Sequence, residues 1–243
     1  MTKLLSIGAD AKTIKGNKKG FITAIQYLSP YTDSGVNLCA NAKNAECYIA
    51  CLKSAGRMGM AFDARLNRTK LYLNDQAEYF NQLTKEITAF IKKASKKGLT
   101  PLIRLNGTSD IRWENIGFYS EGVYYRNIME VFPDIQFYDY TKLPNREKSI
   151  IGIQSFPENY DLTFSYSGAE GYKKFNDRAL KDGKRVAVVF DKLENIPVVF
   201  EGRRVISGDD TDVRHLDPKN TIVALYAKGK ARKDQTGFVV KCK

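Results

Sequence analysis

The sequence predicts an α/β protein. It is read as a single domain over residues 1–243, with a mainly parallel sheet curled into a full or partial TIM-like barrel, helices outside and a small C-terminal β addition. Three observations predict it. Short apolar runs rich in β-branched and aromatic residues alternate with stretches of helical period, the pattern of β-α units around a parallel sheet. A hydrophobic content of 43% over 243 residues is enough for one well-buried core. No low-complexity segment and no Pro- or Ser-rich linker interrupts the chain, so nothing marks a domain boundary.

In chain order, 3-KLLSIG-8 and 21-FITAIQY-27 read as short strands. Residues 37–70 form a cysteine loop with helices: 45-AECYIACLK-53 has helical spacing of its cysteines, and 54-SAGRMGMAFDARLNRTK-70 reads as a turn between helices. The clearest helix spans 74–97. Phe80, Leu83, Ile87, Ile91 and Ala94 recur at helical spacing, Asn74 or Asp75 caps its start, and Gly98 ends it. Strands at 100–107 and 135–140 bracket a helix at 122–132, and strands at 161–167 and 185–190 bracket a helix at 169–183. These are the core units, 74–192. A β-rich part, 198–243, holds a strand pair around Gly202, a strand at 221–227 and a last strand at 236–242.

Thirty-nine Lys and Arg against 27 Asp and Glu give a net charge of +12. That favours an anionic partner, nucleic acid or a small phosphorylated molecule, without choosing between them. The basic residues concentrate in 15-KGNKKG-20, 92-KKASKK-97 and 228-KGKARK-233. With His215 as the one histidine, Cys2His2 zinc fingers, His-rich hydrolytic centres and two-histidine facial triads cannot be built. No G-x-S-x-G elbow accompanies it to make a serine hydrolase. No apolar run reaches the ~18–20 residues that span a bilayer, and the N-terminus lacks a signal-peptide core. The expectation is a cytoplasmic protein with no membrane partner. Clustered thiols in that reducing compartment are more often metal-binding or catalytic than disulfide-bonded.

Three of the four cysteines, Cys39, Cys47 and Cys51, are spaced C-x7-C-x3-C, and Cys242 is next to last. Thiolates bind soft metals, and three together repel unless a cation neutralises them. Structural zinc takes four ligands, often in closely spaced pairs; no C-x2-C pair exists here, and Cys242 is a candidate to complete a zinc site. Three thiolates with one iron left open match a 4Fe-4S cluster by count, the arrangement that S-adenosylmethionine completes. Free thiols packed as small hydrophobes are the remaining reading. Spacing leaves all three open.

Ligands in parallel α/β folds collect at the carboxyl ends of the strands. The polar residues at those ends are therefore the candidate site. They are Arg104, Asn106, Thr108, Ser109 and Asp110, then Asp139, Tyr140 and Lys142, then Ser165 and Ser167. Asp110, Asp139 and Lys142 are the catalytic candidates, since two carboxylates on adjacent strand ends can share one proton-handling site. The others are candidates for binding cofactor or substrate. Arg57, Arg65 and Arg68 are candidates for gripping an anionic substrate by forked bonds, beside Gly56 and Gly59, which permit close backbone approach.

The stretches 51-CLKSAGR-57, 64-ARLNRTKLYL-73, 103-IRLNGTSDIRWE-114, 137-FYDYTKLPNR-146 and 217-DPKNTIVALYAKGKAR-232 touch most of the chain. In this order they resemble a phage family named for gene product 88. The resemblance implies a phage or prophage source and an intracellular protein, and it carries no established reaction. More loosely, the layout is similar to radical S-adenosylmethionine enzymes, in which a cysteine loop follows the first strand and the second strand ends in a segment touching the cofactor. Here 103-IRLNGTSD-110 stands in that place, while the C-x3-C-x2-C spacing and the Gly-Gly-Glu of those enzymes are absent. This resemblance implies an iron–sulfur enzyme with its cluster on Cys39, Cys47 and Cys51 and a cleft for a nucleotide-like anion. The rival reading is a non-enzymatic nucleic-acid-binding phage protein with structural zinc or free thiols, using its basic runs and Tyr124, Tyr125 and Tyr172.

Overall fold

The computed structural model describes residues 2–8, 11–54, 56–148 and 155–242. Its elements run β1 (Leu5–Ile7), α1 (Ala11–Asn17), β2 (Phe21–Gln26), α2 (Phe62–Asn74), α3 (Gln76–Ser95), β3 (Thr100–Arg104), β4 (Phe118–Ser120) and β5 (Val123–Tyr125). They continue with α4 (Ile128–Val131), β6 (Gln136–Thr141), β7 (Tyr160–Ser165), α5 (Lys173–Lys181), β8 (Val186–Phe190), β9 (Val199–Phe200), β10 (Arg203–Ser207) and β11 (Ile222–Tyr226). Among the described residues nine strands form one sheet in the order β1-β2-β3-β6-β7-β8-β11-β10-β9, and β4 and β5 form a separate hairpin. The run from β2 to β10 is parallel, and only the edge strands β1 and β9 are antiparallel to their neighbours.

The predicted α/β class with a mainly parallel sheet is therefore found, and no strand pairing closes it into a barrel among the described residues. The sheet does curve. Lys12 of α1, beside one edge, donates to the Gly208 carbonyl at 3.0 Å and pairs with Asp209 at 2.6 Å, both just past β10 near the other edge. The C-terminal strands are not an addition, because β11 sits inside the sheet between β8 and β10.

Helices cover one face. α3 presents Tyr79, Phe80, Leu83, Ile87, Phe90 and Ala94 as its buried stripe. Asp75 caps it by accepting from the Glu78 N–H at 3.0 Å, and Gly98, at φ +63°, turns the chain into β3. That stripe packs on Ile22, Ala24, Ile103, Phe137 and Leu162 of the sheet, with Trp113 in the same core. Residues of opposite parity, including Thr23, Leu102, Arg104, Tyr138 and Tyr140, face the concave side. What fills that side is the connection from β10 to β11, which the sequence does not reveal. It enters near the end of β10, where the Gly208 N–H donates to the Ala224 carbonyl at 2.8 Å. It then packs Val213 against Phe21, Leu102 and Tyr138, and His215 against Phe21 and Tyr138. Finally it gives the Asp217 carbonyl to Arg185 Nε at 3.1 Å before β11 begins. A side chain at Gly208 has no room: its Cβ would lie 2.5 Å from Val223 Cγ1 and 2.8 Å from the Ala224 carbonyl.

Several expected elements differ. The helix expected at 74–97 is α3 alone, with α2 ahead of it and a break at Asp75. Residues 122–132 make β5 and only a short α4, because Gly122 at φ +80° forms the hairpin turn. The segment 45–53 is a series of turns and no α-helix, with Glu46 in the left-handed region at φ +54°. The strand expected at 236–242 reduces to one parallel bridge between Val240 and Phe190. No helix among the described residues is long and apolar enough to cross a membrane.

Candidate functional site

Chain chemistry at the carboxyl ends of β3, β6 and β7 brings the cysteine stretch against the two motifs richest in small polar residues. Cys39 accepts from the Tyr31 N–H at 3.3 Å and points its thiol at the Thr108 carbonyl, 3.7 Å away. The Cys47 thiol lies 3.7 Å from the Ala42 carbonyl. Ser167, at the end of β7, donates to the Ala45 carbonyl at 2.8 Å, and Asn41 donates to the Lys142 carbonyl at 3.0 Å. The stretch is thereby fastened to all three strand ends. All four cysteines are free.

The three thiols share one stretch at these strand ends, each half-buried. Burial pushes the Cys39 thiol up to about 12; the Tyr31 N–H opposes this, while Asp110, Cys51 and Cys47 add to it. Burial likewise raises Cys47, opposed by the Lys142 ammonium, and raises Cys51, opposed by the Lys53 N–H and charge. Arg65, buried on α2, senses both Cys51 and Asp33. The thiols are thus held protonated beside two cations. Cys242 lies elsewhere, its thiol 3.6 Å from the Lys192 carbonyl.

Lys142 is buried where the sequence offers no apolar signal for burial. Its ammonium donates to the Ser165 and Tyr166 carbonyls, both at 2.9 Å, and sits over the Tyr172 and Phe238 rings at 5.4 and 4.7 Å. The last segment reaches it because Gly168 and Gly237 touch: a Cβ on Gly168 would lie 2.6 Å from the Gly237 carbonyl. Burial lowers Lys142 to about 8, with Cys47 and Asp110 opposing. This places its proton exchange near neutrality, in reach of general acid–base work. The folded value lies below the ordinary 10.5, so between about 8 and 10.5 the unfolded chain holds more protons and stability rises with pH. The stability difference between wild type and Lys142→Met should shift in favour of wild type from about pH 7 to about pH 10 in urea unfolding. A pH-independent difference would show Lys142 unperturbed.

The other candidates are held by internal bonds. Asn106 Oδ1 accepts from Ser109 Oγ, the Ile111 N–H and Trp113 Nε1 at 2.9, 2.9 and 3.1 Å. Thr108 donates to the Leu28 carbonyl. Gly107 passes so near β2 that a Cβ would meet the Gln26 carbonyl at 2.5 Å. Asp139 accepts from the Leu105 and Asn106 N–H groups at 3.2 and 2.9 Å and from Tyr160 Oη at 2.9 Å. Burial still moves its carboxyl up to about 6 against Arg104 and the Asn106 N–H. Asp110 accepts from the Lys142 N–H at 2.7 Å and from Arg146 at 3.0 Å. Arg104 and Tyr140 turn to the concave side, where both bond Asp212, at 2.6 and 3.2 Å. Arg68 ties the Lys3 and Tyr27 carbonyls together. The Arg57 side chain lies outside the described residues.

Arg146, Glu114, Tyr160 and Trp113 were not among the sequence candidates, yet they organise the region. Arg146 donates to both Glu114 oxygens at 2.9 and 2.7 Å, to Asp110 at 3.0 Å, to the Ile111 carbonyl at 2.8 Å and to Tyr160 Oη at 2.9 Å. For Trp113, Glu114 and Arg146 the signal was their position inside the two quoted motifs, which pair with each other in space, whereas Tyr160 lies outside both and gave none. Among the described residues no group of three or more His, Cys, Asp or Glu is arranged to hold a metal ion. The thiols fit an iron–sulfur cluster in number and softness, once deprotonated and turned from their carbonyl acceptors.

No curated protein and no solved structure matches the chain. The family model described as gene product 88 matches residues 3–242, including every motif that meets at these strand ends, and the chain belongs to that family.

Proposed function

We propose that this protein is an iron–sulfur enzyme resembling radical S-adenosylmethionine enzymes, acting on an anionic substrate at the carboxyl ends of its strands. What supports this reading is the number and softness of the thiols Cys39, Cys47 and Cys51 in one stretch at the strand ends, with Cys39 against the Thr108 carbonyl and Lys142 near enough to Cys47 to favour its thiolate. The three thiols would hold the cluster, which when bound supplies one-electron reduction of S-adenosylmethionine. The protein's own part is electrostatic and steric. Lys142 and Arg65 offset the negative charge that thiolates bring. Lys142, near its own proton-exchange point, is the group to give or take a proton. The filled concave face leaves the strand-end rim as the substrate's approach.

The test is anaerobic production and reconstitution with iron and sulfide, followed by metal and sulfide analysis and visible absorption. Wild type should retain iron with equal sulfide, and Cys39→Ala, Cys47→Ala and Cys51→Ala should each lose most of it. Cys242→Ala should keep it. Protein that takes up no iron, takes up zinc instead, or holds iron equally in all the variants contradicts the cluster.

A further inference from the structure

A second candidate site lies outside the thiols. The turn after β6, the loop after β3 and α5 line an open surface depression of about 510 Å3, bordered by Arg112, Leu143, Pro144, Lys174, Phe175 and Arg178, with the buried Arg146 also in its lining. Among the described residues no carboxylate lines it. Its size falls within the ~300–1,000 Å3 range of small-molecule sites.

The charges there are available. Arg146 is committed to Asp110 and Glu114. Arg112 and Lys174 make no hydrogen bond or ion pair through their side chains among the described residues, and Lys174 rests only on the Phe175 ring at 5.2 Å. Arg178 reaches Asp182 at 3.3 Å in an exposed pair, which holds it weakly. Three cations on one solvent-exposed depression give it a positive potential that attracts an anion. Arginine and lysine together suit phosphate, by forked bonds and by point charge. Leu143, Pro144 and Phe175 add an apolar wall suited to a flat ring.

We infer that this depression binds the phosphate of a nucleotide, with Arg112, Lys174 and Arg178 on the phosphate and the Leu143, Pro144 and Phe175 wall against the base. The nucleotide is either free or part of a nucleic-acid strand. The inference does not depend on what the thiols hold, and binding is read on protein without any metal.

Titration calorimetry at low salt uses thymidine 5′-monophosphate, thymidine, inorganic phosphate and a short oligothymidylate. The monophosphate should bind more tightly than inorganic phosphate, and thymidine should not bind. Arg112→Ala with Lys174→Ala should weaken the monophosphate by about tenfold or more. The exposed Lys174→Glu alone should act in the same direction, which guards against misfolding of the double variant. Monophosphate binding identifies a free nucleotide as a sufficient ligand. Oligothymidylate binding far tighter than the monophosphate, with a steep salt dependence lost in the variants, identifies a strand. No binding of either, or equal binding by wild type and folded variants, overturns the proposal.

Discussion

Arg146→Ala should be the most damaging single substitution, costing about 3–5 kcal/mol of stability. Arg146 is 1% exposed, and it is the cation that pairs with the buried Asp110 and Glu114. Its removal leaves two carboxylates without water and without their counter-charge. For a domain of this size the midpoint of thermal unfolding should fall by roughly 6–20 °C. Arg146→Lys should rescue little, because one ammonium cannot replace a fork that bonds Glu114, Asp110, Tyr160 and the Ile111 carbonyl together. Replacing the charges together, with Arg146→Met, Asp110→Asn and Glu114→Gln, should recover much of the loss. A midpoint within a degree or two of wild type for Arg146→Ala would show that these carboxylates are neutral or solvated.

Trp113→Ala should cost a comparable amount, about 3–5 kcal/mol. The indole is 0% exposed. It lies parallel to Tyr79 at 6.1 Å, edge-on to Tyr72 and Phe80, and donates to Asn106 at 3.1 Å. It therefore joins the helix-covered core to the loop that carries the candidate site. Trp113→Phe keeps most of the apolar contact and loses one hydrogen bond of three on Asn106 Oδ1, so it should cost distinctly less. Urea unfolding separates the two. Equal losses would show that the bond to Asn106 outweighs the packing.

Both expectations concern residues that periodicity does not single out as functional. Apolar alternation is a local signal, so the strands were legible, as was the helical stripe from Phe80 to Ala94. Parallel pairing followed from that alternation, and with it the rule that strand ends hold the site. The helical spacing of Cys47 and Cys51 does not make 45–53 an α-helix, because Glu46 takes a left-handed φ of +54° that interrupts it. The cations Arg112 and Lys174 of the depression gave no pattern, because they meet only when the loop after β3 and α5 come together.

The sequence by itself determined the α/β class with a mainly parallel sheet, the positions of most strands along the chain and the family motifs. Tertiary structure alone decided what the polar residues do. Arg104 finds its carboxylate 108 residues away in Asp212, and Arg146 finds Glu114 at a separation of 32. The physical reason is that burying an apolar side chain needs only a face of the right period, whereas burying a charge needs one specific partner. That partner is chosen by the folded chain, and no local spacing records it.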